Sequence, residues 1–259
     1  MNGIEYNDFI DLFFSPIRVD FPVEENYKEH IPQYVRSAMA QSQITSACVY
    51  ILDYNEKNFV YMAEKERMLC GYTVEEIKIK GIGFFSEMLY SDDLELFAKI
   101  NKQGFDFFYE IEPSERHNYW ATYDLRIVAK TGKIELHNFR FLPLVVDNKG
   151  NIILAMVQID ISTSTDSGNF QVYSINEQKF YRYNEKSKSF KPVKQRLLNE
   201  KEKMVLKLLS QGYAIKEVAE KMEIQLHTVN YYNKAILAKL MVKNMKEAVL
   251  IYSQRGDIL

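Results

Sequence analysis

Near the carboxyl terminus, several side chains that can form hydrogen bonds without carrying negative charge follow one another at helical spacing. They are His227, Thr228, Asn230, Tyr231 and Lys234, accompanied by Ala235 and Ala238. No Asp or Glu occurs between Glu223 and Glu247. A solvated helix face usually mixes both charge signs, whereas a helix that enters the major groove cannot carry carboxylates close to phosphates. These residue types predict contacts with the phosphates and base edges of duplex DNA.

The elements that must position these side chains are three short helices. The spacing of Asn199 and Glu202 is that of a capping box and predicts a helix start, and Gly212 stands where a left-handed residue commonly ends a helix. The predicted buried stripes are Met204, Val205, Leu208 and Leu209, then Ile215, Val218, Ala219 and Met222, then Val229, Tyr232, Ile236, Leu237 and Leu240. Two short helices, a tight connection at 223–225 and a longer helix are the parts of a helix-turn-helix.

This carboxy-terminal segment resembles the LuxR-type (GerE-like) DNA-binding domain of bacterial regulators. The matching residues, which agree in type and spacing, are 198–202, 205–206, Gly212, 216–219, Ile224, 228–229, Ile236, 239–240 and 247–248. The resemblance implies that Asn230, Tyr231 and Lys234 face the bases. It also implies that the residues contacting phosphates are Thr228, Tyr232, Lys216 and Lys239.

The last predicted helix supplies a second surface. In the LuxR-type family this helix pairs two copies of the domain, and reading two half-sites requires two recognition helices. The residues Ala248, Val249, Ile251 and Tyr252 add apolar surface beyond what a three-helix core needs. We therefore predict a homodimer whose carboxy-terminal interface contains these four residues.

The middle of the chain, residues 45–163, changes from helical to strand patterning. The strand-like runs are 48–52, 59–62, 121–129, 135–146 and 152–161. Gly-containing tetrapeptides between the last three runs are typical of antiparallel hairpins. The order of two strands, short helices and three strands resembles a PAS domain, and so do Asp53, the segment GYTVEEI at 71–77 and the segment SDD at 91–93. The resemblance implies a five-stranded antiparallel sheet with helices on one face.

Such a sheet leaves room for a pocket between its inner face and the helices. The residues that would line or fill it are Tyr50, Leu52, Phe84, Phe85, Met88, Leu89, Leu125, Ile127, Phe139 and Phe141. Aromatic and Met stripes are usually core, so a packed interior and a small-ligand pocket are both open. Haem ligation by His117 or His137 is disfavoured, because a lone His is more often a surface or hydrogen-bonded residue. Cys70 lacks a polar motif around it and is interpreted as core.

Two further segments complete the organisation. Residues 1–44 have helical spacing. Residues 164–193 are interpreted as a small hairpin, 170–175 with 179–183, followed by a Lys- and Ser-rich linker. The predicted fold class is therefore α+β: a PAS-like five-stranded antiparallel sheet with flanking helices, followed by an all-α four-helix helix-turn-helix domain at 194–259.

Composition excludes several classes of protein. The 259 residues are 47% hydrophobic and 26% charged, as in an ordinary globular chain. The longest apolar runs are far shorter than the ~20 residues that span a bilayer, and the acidic amino terminus lacks the basic residues of a secretory signal. We therefore expect a cytoplasmic protein without a membrane segment. Cys48 and Cys70 lie beside apolar residues and are expected to be reduced thiols.

The net charge of −2 is unevenly distributed along the chain. Residues 195–259 carry 11 Lys and Arg against 7 Asp and Glu, whereas the first 194 residues carry 22 against 28. A basic segment attached to an acidic body favours contact between that segment and a polyanion.

Signatures of catalysis and cofactor binding are missing from the sequence. The adjacent carboxylates of Asp92-Asp93 and Glu75-Glu76 point in different directions and do not converge on a substrate, so we interpret them as caps and solvated faces. The sequence contains no Walker loop, GxGxxG, GxSxG or His/Cys spacing typical of a metal site. We therefore predict no enzyme activity, no cofactor and no metal.

These observations predict a bacterial DNA-binding transcription regulator, in which a PAS-like sensor or dimerisation domain controls a recognition helix in the major groove. Duplex DNA is the predicted partner, and RNA polymerase and a small molecule in the PAS-like domain are further candidates. The alternative is a ligand carrier or an enzyme built on the PAS-like domain, with the carboxy-terminal helices as a protein-interaction adaptor. Salt-dependent retention of DNA distinguishes the two.

Overall fold

The amino-terminal part of the chain is built on one antiparallel sheet. The computed structural model describes residues 6–18, 26–177, 179–194, 197–240, 242 and 244–255. Within them the strands are β1 (Cys48–Asp53), β2 (Asn58–Met62), β3 (Tyr119–Val128), β4 (Ile134–Val146), β5 (Ile152–Ile161), β6 (Gly168–Ser174), β7 (Lys179–Asn184) and β8 (Ser189–Lys194). The chain divides into two units, Met1–Val193 and Lys194–Leu259.

The strand order in the sheet is β2-β1-β5-β4-β3-β6-β7-β8. The first five strands and the helices between them have the predicted PAS-like element order, and the α+β fold class is confirmed. The sheet described has eight strands, however, and the prediction of five was wrong. The predicted linker after 183 contains β8, because Phe190 packs against Phe107 and Phe170 with ring centroids 4.6 and 5.0 Å away. Pro192 lies within this last strand.

Helices cover both faces of the sheet around β1. The helices of this unit are α1 (Tyr6–Phe14), α2 (Tyr27–Ile44), α3 (Val74–Lys80), α4 (Phe84–Met88) and α5 (Ser91–Glu110). Phe9 and Phe13 of α1 pack on Phe97 of α5, with ring centroids 6.1 and 5.5 Å away. On the opposite face, Ala38 of α2 packs against Val49 and the neighbouring part of β1. Every residue of β1 is therefore buried. The helices of the PAS-like segment, α3 to α5, share one core on the first face, and α2, from the predicted amino-terminal helical segment, covers the other.

The PAS-like motif residues hold the local backbone in place through side-chain hydrogen bonds. The Thr73 side chain accepts a hydrogen bond from the backbone of Glu76, whose carboxylate accepts one from the Thr73 backbone, so 71–77 starts a helix with a capping box. Asp53 Oδ1 accepts from the backbone of the following turn. Asp93 is 1% exposed and forms an ion pair with Arg126. The interpretation of Asp92-Asp93 as solvated was therefore wrong for Asp93, because β3 supplies the partner.

The second unit contains four helices in its described part, as predicted. They are α6 (Glu200–Ser210), α7 (Ile215–Lys221), α8 (Leu226–Leu240) and α9 (Met245–Arg255). The buried centre consists of Leu198, Val205, Leu206, Val218, Ala219, Val229, Ile236 and Ala248. Met204 and Ile215 were predicted to face inward and are instead 45% and 38% exposed, because their neighbours Val205 and Val218 occupy the interior.

None of the helices in the described ranges combines the length and the apolar character that crossing a bilayer requires.

Candidate nucleic-acid interface

The first helix of the second unit begins with the predicted capping box. The backbone of Glu202 donates to Asn199 Oδ1 at 2.9 Å, and the backbone of Asn199 donates to Glu202 Oε2 at 2.7 Å. Two backbone donors that have no partner inside the helix are thereby satisfied. Gly212 has a φ of +90° just after this helix, as predicted for a left-handed terminus.

The capping carboxylate has a second partner at the far end of α8. Lys239 Nζ lies 2.7 Å from Glu202 Oε2. The Glu202 side chain is 3% exposed and that of Lys239 is 24% exposed. A lysine that neutralises a buried carboxylate is not available for phosphate without leaving that carboxylate unpaired. Lys239 was predicted to contact phosphate; the structure gives it a structural role instead, and we leave it out of the proposed interface.

The turn at 222–225 sets the direction of α8. Glu223 has a φ of +54°, and the backbone N–H of Ile224 donates to the carbonyl of Ala219 at 3.0 Å. The backbone N–H of Thr228 donates to Gln225 at 2.9 Å and starts the next helix. Val218 and Val229, on opposite sides of the turn, are both fully buried. The two helices thus form the predicted helix-turn-helix.

One side of α8 is exposed and free of acidic residues. His227, Asn230, Tyr231 and Lys234 are all exposed, and Tyr231 is 67% exposed. Their spacing of three, four and seven residues places them on one face of a helix. The inward side of α8 carries Val229, Asn233 and Ile236. The structure therefore brings the predicted base-facing residues together on a single accessible surface, which we call the α8 face.

Two predicted phosphate contacts lie at the edge of the α8 face. Thr228 and Tyr232 are half-buried, and Tyr232 packs against the hydrophobic centre of the unit. The rings of Tyr231 and Tyr232 have centroids 5.9 Å apart. Lys216 is exposed on α7, and neither Lys216 nor Lys234 has an ion-pair partner among the described residues. These lysines can therefore meet an anion without breaking an existing contact.

Sequence reasoning missed Asn233 on the inward side of α8. It is 8% exposed, and its Oδ1 has no hydrogen-bond partner among the described residues. Its only sequence signal is a polar residue inside an apolar stripe.

Helix α9 contributes more to the interior than was predicted. Ala248 is fully buried, and Val249 and Tyr252 pack against the hydrophobic centre. The side chain of Ile251 lies outside the described part of the structure. Leu250, by contrast, is 42% exposed. The assignment of Ala248 to a dimer surface was therefore wrong, because this small residue fills the contact between α9 and the other helices.

Residues 196–252 match the model of the family described as bacterial regulatory proteins, luxR family. They form a LuxR-family helix-turn-helix domain. The match covers all four helices of the second unit up to Tyr252, including the exposed residues of the α8 face. No curated protein matches this chain significantly.

Several solved structures share low overall similarity with the chain. A phage VqmA–DPO complex is 13% identical, covering 88% of this chain and 92% of that one with a TM-score of 0.33. A Vibrio cholerae VqmA dimer is 17% identical, covering 82% and 83% with a TM-score of 0.31. A PAS domain from Colwellia psychrerythraea is 14% identical, covering 50% and 97% with a TM-score of 0.33. Likenesses of this size carry no argument for a shared function.

The first unit contains a small cavity between the sheet and its inner helices. Its volume is about 40 Å³. The lining residues are Phe13, Tyr50, Leu52, Tyr54, Phe97, Ile100, Asn101, Gly104, Phe105, Phe108, Ala121, Tyr123, Phe141, Val157 and Phe170. Of the predicted pocket residues, Tyr50, Leu52 and Phe141 line this cavity. The others, Phe84, Phe85, Met88, Leu89, Leu125, Ile127 and Phe139, belong to the packed core instead.

The cavity wall is aromatic and uncharged. Burial raises the pKa of Tyr50, Tyr54 and Tyr123 above the ordinary tyrosine value, so each keeps its hydroxyl proton. The Asn101 side-chain amide donates to the carbonyl of Phe13 at 2.5 Å and ties α1 to α5. Since an unpaired ion is costly to bury, this wall suits a neutral molecule.

Proposed function

We propose that this chain is a transcription regulator that binds duplex DNA by placing α8 in the major groove. The observation that carries the proposal is the acid-free α8 face on a LuxR-family helix-turn-helix. Asn230, Tyr231 and Lys234 lie at the centre of this face and are assigned to the bases, with His227 beside them. The phosphate contacts are assigned to Lys216, Thr228 and Tyr232.

The division of roles follows from side-chain chemistry. An Asn amide can accept a hydrogen bond from the exocyclic amine of adenine and donate one to its ring nitrogen, which distinguishes one base pair from the others. A lysine at the edge of the interface neutralises a phosphate whatever the sequence. A regulator of this kind acts in the bacterial cytoplasm, where its DNA is, and needs no catalysis.

Salt dependence of DNA binding by the full chain tests the proposal. We expect affinity to fall log-linearly with salt, and Lys216→Gln, which removes one of the assigned phosphate contacts, to lower the slope by about one ion. The matched control is Lys191→Gln, which removes an exposed lysine from β8 in the other unit and should leave the slope unchanged. DNA binding that is absent, or that responds equally to both substitutions, would contradict the proposal and favour the adaptor alternative.

A sensor role for the first unit is supported by the cavity. A volume of about 40 Å³ exceeds the ~10–15 Å³ that one water needs and is far below the ~150 Å³ of a cavity that holds benzene. We assign to it a small neutral ligand of a few non-hydrogen atoms, or a larger one that displaces the Phe13 side of the wall. A ligand that stabilises the wild-type chain and not a variant with a filled cavity would support this assignment.

Dimerisation stays part of the proposal. Reading two half-sites requires two copies of α8, and Leu250 is the exposed large apolar residue of the described part of α9. We expect pairing through Leu250 and its neighbour Ile251, with RNA polymerase as a further partner of the DNA-bound protein.

A further inference from the structure

Three side chains with metal-binding atoms converge in the first unit, although they are distant in sequence. Cys70 lies in the turn before α3, and Glu135 and His137 lie on β4. One ligand atom from each of the three residues lies within 4.8 Å of the other two. Because side chains alternate across a strand, Glu135 and His137 project from the same face of β4. The hairpin of β3 and β4 holds the turn in place, since the backbone of Lys130 donates to the carbonyl of Cys70 at 3.0 Å.

The imidazole of His137 is buried without an ordinary hydrogen bond. The residue is 0% exposed, and its Nδ1 has no partner among the described residues. Its Nε2 lies 3.9 Å from the sulfur of Cys70. Buried polar groups are nearly always paired, and imidazole nitrogen and cysteine sulfur are both ligand types that zinc binds in proteins. The ring nitrogen that faces Cys70 has no hydrogen-bond partner other than that sulfur among the described residues.

We propose that Cys70, Glu135 and His137 bind one Zn²⁺ ion. The softness of a thiolate and an imidazole favours zinc over calcium or magnesium, and the carboxylate disfavours Cu(I). Zinc bonds of 2.0–2.3 Å in a tetrahedron place ligand atoms about 3.4–3.6 Å apart. The sulfur of Cys70 and Nε2 of His137, at 3.9 Å, need to approach by less than about 0.5 Å, and no pair needs to close by more than about 1.4 Å. Three protein ligands leave the fourth position to water or an exogenous ligand.

The surroundings allow this closure. Glu135 Oε1 is now 2.7 Å from Lys133 Nζ, but that lysine side chain is 69% exposed and can swing into solvent. Asp160 and Arg67 also act on His137 electrostatically, with opposite signs. The Glu135 carboxylate and the Cys70 thiolate would therefore supply most of the negative charge around the ion.

Cobalt substitution tests the site in the full-length chain. The protein is treated with a chelator and titrated with Co²⁺, whose bond to a thiolate gives a charge-transfer absorption that nitrogen and oxygen ligands do not produce. We expect one equivalent to bind with this absorption and to be displaced by Zn²⁺. Cys70→Ser should abolish the absorption, whereas Cys48→Ser, which removes the other buried cysteine, should retain it.

A surface substitution covers the case in which Cys70→Ser does not fold. The Glu135 side chain is 24% exposed, so Glu135→Gln should preserve the far-ultraviolet circular dichroism. It should also weaken Zn²⁺ binding by about 10- to 100-fold or more, because replacing a residue that only hydrogen-bonds to a metal ligand already lowers metal affinity by this factor. No charge-transfer absorption in the wild type, its persistence in Cys70→Ser, or unchanged Zn²⁺ affinity in Glu135→Gln would each overturn the proposal. None of these readouts depends on DNA binding.

Discussion

Replacing Lys239 with Met should destabilise the helix-turn-helix domain without changing its phosphate contacts. Methionine keeps the aliphatic length of lysine and removes only the charge. Glu202 would then remain a 3% exposed carboxylate whose hydrogen bonds come from the start of α6 alone. The ion pair joins residues 37 positions apart, so its loss should loosen α6 and α8 together.

The magnitude follows from the burial of the two partners. Removing one partner from a fully buried ion pair costs about 3–5 kcal/mol. Because the Lys239 side chain is 24% exposed, water screens part of this interaction, and we expect a loss of about 2 kcal/mol. Glu202→Gln should cost less, since an amide can also serve in a capping box and leaves no unpaired charge. The double variant should therefore recover part of the loss.

Hydrogen exchange measured by mass spectrometry checks this prediction, because it resolves the two units of the intact chain. A loss of about 2 kcal/mol corresponds to about 30-fold faster exchange in the most protected amides of α6 and α8. In Lys239→Met, the slope of the logarithm of DNA affinity against the logarithm of salt concentration should equal that of the wild type. Unchanged exchange together with a slope reduced by one ion would show that Lys239 contacts phosphate and would refute the structural role.

Further substitutions test the other assignments. Asn230→Ala should relax sequence choice at one base pair by about 1–3 kcal/mol, whereas Lys216→Ala should weaken all sequences equally; selection from a randomised operator library separates them. Gly104→Ala should stabilise the chain by about 0.5–1 kcal/mol in urea unfolding. The Cβ added at this position would lie 3.2 Å from the Phe170 ring, and this ring has room to move into the cavity. Destabilisation of the variant would contradict this prediction. Ile251→Glu should weaken self-association and operator binding together; unchanged sedimentation would exclude this interface.

The helix-turn-helix could be predicted from the sequence because its signals are local. The capping pair Asn199 and Glu202 is three residues apart, and the apolar stripes repeat within a few turns. The α8 face could be predicted for the same reason, since the residues that remain after the stripe must point outward. The ion pair of Lys239 could not be predicted, because nothing in the sequence brings the end of α8 to the start of α6. The interior position of Ala248 was equally hidden, since a small apolar residue suits a core and an interface alike.

The first unit was harder to predict because its key contacts are distant in sequence. The cavity is closed by Phe13 from α1 and Phe170 from β6, both outside the segment that resembles a PAS domain. In the strand β8, the aromatic residue Phe190 makes the ring contacts with the rest of the unit, but it lies among Lys and Ser residues, so composition favoured a linker. The convergence of Cys70 and His137 follows from the fold of the β2–α3 turn onto β4, which no motif spacing records.

The edge strand β8 affects how this protein behaves at high concentration. A sheet edge offers a row of backbone donors and acceptors to any other extended chain, and such edges seed aggregation. Pro192 has no N–H to offer, and the neighbouring Lys191 is exposed and would bring its charge close to an incoming strand. Proline is largely confined to edge strands for this reason. The residues that made this segment look like a linker thus protect the sheet against pairing with a second copy, and a change such as Pro192→Val would create an edge suited to fibre formation.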